Sequence, residues 1–122
     1  MINAYIKPIL IVSGLVTAAA VAVFFAPATV LAMYFEQVPS DALSLAIARH
    51  WGLMVFCIGA LIVWAAYRPE LRTPVLVLAC LEKVALVIGI FALPLQARPK
   101  ASVVALTDAT FTVLYLLYLA GL

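Results

Sequence analysis

Four apolar runs, each long enough to cross a bilayer as a helix, occupy most of this 122-residue chain. A membrane-spanning helix needs about 20 apolar residues, because each residue adds about 1.5 Å to its length. The runs extend over residues 6–25, 42–66, 73–93 and 101–119. Because short connections join them, the sequence predicts an all-α, integral membrane four-helix bundle that forms one transmembrane domain over residues 1–122.

The composition supports this class of protein. Hydrophobic residues make up 69% of the chain and charged residues 10%, whereas soluble domains have roughly half apolar and about a quarter charged residues. A soluble fold of this size could not bury so much apolar surface. The net charge of +2 comes from scattered basic residues, so the sequence predicts no nucleic-acid partner.

The connection between the first two runs reads APATVLAMYFEQVP. It is too short and too polar at its end for another crossing. We expect Pro27 to kink or end the first helix. Residues 29–37 are expected to form a helical segment at the membrane interface, with Tyr34 and Phe35 at the level of the lipid headgroups.

The charges near the ends of the runs and in the connections bear on orientation. Lys7, Arg68 and Arg72 are expected on one side of the membrane, and Arg98 and Lys100 on the other. The positive-inside rule then favours a cytoplasmic location for both termini. The expected localisation is the bacterial cytoplasmic (inner) membrane, as a multi-pass protein.

The second, third and fourth runs contain charged residues. Arg49 lies seven residues into the second run, roughly 10 Å from the helix end. An antiparallel order brings Glu82 and Asp108 to a similar depth. A lone charge at the bilayer centre costs about 2.5–3.5 kcal/mol. The sequence therefore predicts that Arg49 and Lys83 face Glu82 and Asp108 inside the bundle, with Arg49 placed for a bidentate contact to a carboxylate.

Helix phase extends this polar group. Asp108, Thr112 and Tyr115 share one face of the fourth helix, while Lys83 lies about 100° around its helix from Glu82. Lys83 should then point into a neighbouring groove or towards another subunit. The predicted polar cluster, which is either ligand-binding or structural, comprises Arg49, His50, Glu82, Lys83, Asp108, Thr112 and Tyr115.

Two further patterns concern helix packing and metals. Gly52 and Gly59 are seven residues apart and form a small-residue seam on the second helix. His50 is the single histidine, so a bis-histidine haem within one chain is excluded. The sequence predicts no metal site and no catalytic residue.

The order of these segments is similar to that of a known group of proteins. After the first run come ARHWGLMVFCIGALI, the turn YRPELR, then LEKVALVIG and ALTDATFTVLYL. This pattern resembles the small four-helix bacterial membrane proteins called DoxX-like. The resemblance implies a four-helix bundle in the cytoplasmic membrane, and some members are small subunits of quinone-linked oxidoreductases. It implies no particular catalytic residue.

Several functions remain open from the sequence. The first is a non-catalytic accessory or interaction subunit of a larger membrane assembly or a homo-oligomer, in which the ion pairs only fix helix register. The second is a binder of a small hydrophobic ligand at the polar cluster, for which a quinone is the cofactor considered. A proton-coupled exporter is disfavoured because residues 6–25 contain no acidic residue. The expected partners are lipid and other membrane subunits, and an enzyme is not favoured.

Overall fold

The computed structural model describes residues 2–94 and 100–121, and their regular secondary structure is helical. The elements are α1 (Ile2–Ala18), α2 (Val21–Phe25), α3 (Pro27–Ala32), α4 (Ala42–Tyr67), a 3₁₀ turn (Pro69–Leu71), α5 (Arg72–Phe91) and α6 (Ala101–Leu119). Residues 95–99 of the predicted last connection, including Arg98, lie outside the described residues.

Four stretches are long and apolar enough to cross a membrane. They extend over Ile2–Phe25, Ala42–Tyr67, Pro69–Phe91 and Ala101–Leu119. The predicted all-α fold with four spanning segments is therefore confirmed. The chain is a multi-pass membrane protein, and the apolar side chains on the outer faces of its helices contact lipid.

The first two spans pack very closely through glycine. A β-carbon placed on Gly52 would lie 2.8 Å from the carbonyl oxygen of Ala20, and one placed on Gly14 would lie 2.9 Å from the carbonyl oxygen of Gly59. Two helix backbones can approach this closely only where small residues lie at the contact. The small-residue seam of α4 is thus the surface that meets the first span.

The first span is not one continuous helix, although its sequence reads as one apolar run. α1 ends at Ala18 and α2 begins at Val21. At the break, the N–H of Ala20 donates to the carbonyl of Thr17 at 3.2 Å, and the N–H of Val23 donates to the carbonyl of Ala20 at 2.9 Å. These bonds span three residues, as in a 3₁₀ turn. Gly52 of α4 packs against this tighter turn.

The segment after the first span folds over one end of the bundle. Its helix covers Pro27–Ala32 and ends earlier than the predicted 29–37. Tyr34 and Phe35 are half-buried and pack against a cluster that includes Ile90 and Ala101. Their level relative to the lipid headgroups stays a prediction. The carbonyl of Tyr34 accepts hydrogen bonds from the N–H groups of Lys100 and Ala101, both at 3.2 Å. It thereby satisfies backbone donors at the start of α6.

Backbone groups at both ends of α4 form hydrogen bonds with side chains. At the start, the Asp41 carboxylate accepts a hydrogen bond from the Ser44 N–H at 2.9 Å, which lowers the pKa of Asp41 below its ordinary value. At the other end, Arg72 donates from Nε to the carbonyl of Ala65 at 3.0 Å and from Nη2 to the carbonyl of Ala66 at 2.9 Å. These contacts fix where α4 begins and where the chain turns into α5.

Candidate functional site

A fully buried lysine links three spans. Lys83 of α5 is 0% exposed. Its Nζ donates to Thr17 Oγ1 of α1 at 2.8 Å and to Asp108 Oδ1 of α6 at 3.0 Å. The ring of Phe111 lies 5.5 Å from the same nitrogen, within reach of a cation–π contact. Lys83 and Asp108 therefore form an ion pair inside the bundle.

Hydroxyl groups extend the ion pair along α1 and α6. The Thr17 hydroxyl donates to the Ser13 carbonyl at 2.8 Å, and the Tyr115 hydroxyl donates to Ser13 Oγ at 2.5 Å. The Thr112 hydroxyl donates to the carbonyl of Asp108 at 2.7 Å. Each of these buried side chains has a partner, as buried polar groups require. The result is a hydrogen-bonded polar layer between the first and fourth spans.

Glu82 differs from the rest of this layer. Its Oε2 lies 3.8 Å from Lys83 Nζ, which is too long for a hydrogen bond, and its side chain is 11% exposed. Both carboxylate oxygens are buried and have no hydrogen-bond partner among residues 2–94 and 100–121. When all three groups are ionised, Lys83, Asp108 and Glu82 sum to a charge of −1. One acidic group is therefore left uncompensated.

The polar layer borders a cavity of about 380 Å³. The polar part of its wall consists of Thr17, Glu82, Lys83, Asp108 and Thr107. The rest is aliphatic or aromatic and includes Tyr34, Phe35 and Trp51. Glu82 and Trp51 also line an open groove between α4 and α5. Glu82 thus lies between the inner cavity and the lipid-facing surface.

Two residues of the predicted cluster lie elsewhere. The structure brings together Lys83, Asp108, Thr112 and Tyr115, with Glu82 beside them. Arg49 and His50 are exposed on α4.

The prediction that Arg49 contacts a carboxylate is wrong. No carboxylate of the described residues lies within 4.0 Å of its guanidinium. The reason is the rotation of α4. Its buried face includes Gly52 and Val55, and Arg49 lies about 120° around the helix from Val55. Lys83 is the buried cation instead.

The first span contributes polar residues that were not predicted from the sequence. Ser13 and Thr17 are both buried and polar, and they lie on one face of α1 because they are four residues apart. With Gly14 between them, they form a small, polar patch in an otherwise apolar run. That patch was the signal that α1 faces a polar partner.

The fold and the site define a class: a four-span membrane protein with a buried lysine–carboxylate layer beside a cavity. Comparisons with protein-family models, with curated proteins and with solved structures found no match. Among the described residues, no three His, Cys, Asp or Glu side chains gather in a way that could hold a metal ion.

Proposed function

We propose that this protein binds a small, mostly apolar molecule in the cavity beside the Lys83–Asp108 pair. The observation that supports this most is Glu82, a residue of the cavity wall whose carboxylate is buried without a hydrogen-bond partner from the described residues. A buried polar group without a partner in the chain calls for one from outside it. The cavity volume of about 380 Å³ also lies in the range of small-molecule sites.

The other residues of the layer hold the site in place. Lys83 is fixed by Thr17 and Asp108, so the polar end of the cavity is rigid before any ligand arrives. Such preorganisation favours binding because little side-chain freedom is lost in the complex. A structural role for the ion pair and a binding role for the cavity are therefore compatible.

Ligand binding should stabilise the folded protein. We expect 4-phenylbutanol, a neutral and mostly apolar probe, to raise the melting temperature of the purified protein. At a hundred times the Kd, the gain in free energy of unfolding is about 2.7 kcal/mol. Thermal unfolding in detergent, followed by tryptophan fluorescence, measures it.

The Val104→Phe variant tests the location of this binding. Val104 lines the cavity, so the added ring should occupy the ligand's volume and remove the stabilisation. Val113→Phe is the matched control, because Val113 lies on the same helix but is 55% exposed to lipid. If the same stabilisation occurs in both variants, or none occurs in the wild type with any probe, the proposed site is ruled out.

We propose a second role as an accessory subunit, supported by a different observation. Arg49 and His50 face outwards in a spanning helix, and Arg49 has no ion-pair partner among the described residues. A carboxylate from another membrane subunit, or from a second copy of this chain, would offset the cost of that charge.

The accessory role predicts a complex that depends on Arg49. In native gels of gently solubilised membranes, the wild type should migrate with a larger partner, and Arg49→Gln should shift it to the monomer position. Arg68→Gln is the control, because Arg68 lies outside α4 and pairs with Glu70 at 2.6 Å. A wild type that migrates as a monomer would contradict this role.

We also propose the bacterial cytoplasmic membrane as the location, with both termini in the cytoplasm. In support, Lys7 Nζ lies 4.6 Å from the centre of the Tyr67 ring, and Arg68 follows Tyr67 in the sequence. Basic residues are therefore gathered at one end of the bundle, as the positive-inside rule describes for the cytoplasmic side. Membership of the DoxX-like group stays a prediction that depends on the sequence resemblance.

A further inference from the structure

The hydrogen-bonding capacity left at the cavity indicates which chemistry a ligand should carry. A lysine ammonium has three donors and no acceptor. Two donors of Lys83 are used by Thr17 and Asp108, and the Glu82 carboxylate lies 3.8 Å away. At most one donor of Lys83 therefore remains for a ligand. A quinone, which offers only carbonyl acceptors, would have little to bind there.

Acceptor capacity, by contrast, is abundant. A carboxylate has two oxygens and about four lone-pair sites. Neither oxygen of Glu82 has a hydrogen-bond partner from the described residues, and both are shielded from solvent, so the side chain must turn towards the cavity for an oxygen to contact a ligand. An ionised carboxylate in such surroundings is costly unless it is paired. A ligand that brings donors and a positive charge satisfies both requirements.

The charge of the surroundings agrees with this conclusion. Lys83 Nζ lies 3.0 Å from Asp108 and 3.8 Å from Glu82, so a single positive charge is shared by two carboxylates. With all three groups ionised the site has a charge of −1, which one monovalent cation cancels.

The rest of the wall fits an apolar body attached to that cation. Tyr34, Phe35 and Trp51 line the cavity together with aliphatic side chains, and aromatic faces attract cations as well as apolar groups. Because Glu82 also borders the open groove between α4 and α5, a molecule dissolved in the bilayer can approach it from the side.

We propose that the ligand is a small apolar amine, whose ammonium group binds the Glu82 carboxylate and whose apolar part fills the cavity. This inference rests on the proposed function, since it names the class of ligand for the same cavity. No covalent step is involved. The ammonium donates to Glu82, and the Lys83–Asp108 pair stays in place beside it.

The test compares two probes of the same shape. At pH 7, 4-phenylbutylamine is an ammonium, whereas 4-phenylbutanol is neutral. Their dissociation constants for the purified wild-type protein in nanodiscs of neutral lipid should differ by at least tenfold in favour of the amine. Glu82→Gln should abolish the preference while the alcohol still binds, because glutamine keeps the shape and removes the charge. Glu70→Gln, an exposed position, should leave the preference intact.

The outcomes separate the inference from the proposed function. If the alcohol binds the wild type as tightly as the amine does, and Val104→Phe blocks both, the cavity is a ligand site and the amine inference is wrong. If neither probe binds, the proposed function itself fails. A preference for the amine that persists in Glu82→Gln also overturns the inference. The wild-type comparison is decisive even if Glu82→Gln does not fold.

Discussion

The Lys83→Met variant is expected to lose about 3–5 kcal/mol of its free energy of unfolding, because methionine leaves Asp108 as a buried carboxylate without a counter-ion. The side chains of Lys83 and Asp108 are 1% and 10% exposed, so solvent cannot stabilise the Asp108 carboxylate in place of the lost ammonium group. The hydrogen bond to Thr17 disappears as well. Reversible unfolding in SDS mixed micelles, followed by tryptophan fluorescence, measures the loss.

Two further variants separate the ion pair from a general effect of removing lysine. Lys100→Met removes an exposed lysine and should change the free energy of unfolding by no more than about 0.5 kcal/mol. Combining Lys83→Met with Asp108→Asn should cost less than the sum of the two single changes, because neither charge is then stranded. Strict additivity, or wild-type stability for Lys83→Met, would show that the pair is not coupled inside the bundle.

The depth of the charged residues could be predicted from the sequence, but the direction in which they point could not. Depth follows from counting residues along a helix at about 1.5 Å each, and Glu82 of α5 and Asp108 of α6 do line one cavity. Direction depends on the rotation of each helix. In α4 that rotation is set by the close contact of Gly52 with the first span, which turns Arg49 outwards.

Helix rotation also decides which of the two candidate cations, Arg49 or Lys83, is buried. Arg49 and Lys83 both lie within apolar runs, and arginine is generally the better partner for a buried carboxylate. The structure buries Lys83 because the core face of α5, which includes Leu76 and Ala79, also contains it. Helix phase had predicted that Lys83 points into a neighbouring groove or towards another subunit. Glu82 and Lys83 lie about 100° apart around α5, so a rotation of the helix by less than that angle decides which of the two faces the core.

The break in the first span also depends on tertiary contacts. Residues 18–20 are three alanines, and alanine favours continuous helix. No proline or glycine marks the site, so hydropathy and propensity both predict an unbroken run. The cavity is likewise formed by segments far apart in sequence, including the Tyr34 region, whose contact with α6 is invisible to local patterns.

Gly59→Ala is expected to lower the free energy of unfolding by about 3 kcal/mol, near the upper end of the cost of overpacking. The added β-carbon would lie 2.7 Å from the Gly14 carbonyl oxygen and 2.8 Å from Ala18 Cα, and would also collide with the Ala18 amide nitrogen. All three neighbours are backbone atoms, so no side chain can rotate away. The first span must move away from α4, which weakens the polar layer held by Thr17.

Gly89→Ala is the matched control on α5. A β-carbon at Gly89 meets nothing within 4 Å among the described residues, so the change should be neutral or stabilising by up to about 1 kcal/mol, since alanine favours helix over glycine. The same SDS titration measures both variants. Equal stability of Gly59→Ala and Gly89→Ala would mean that α1 and α4 do not meet at Gly59, and the position of Thr17 beside Lys83 would then lose its support.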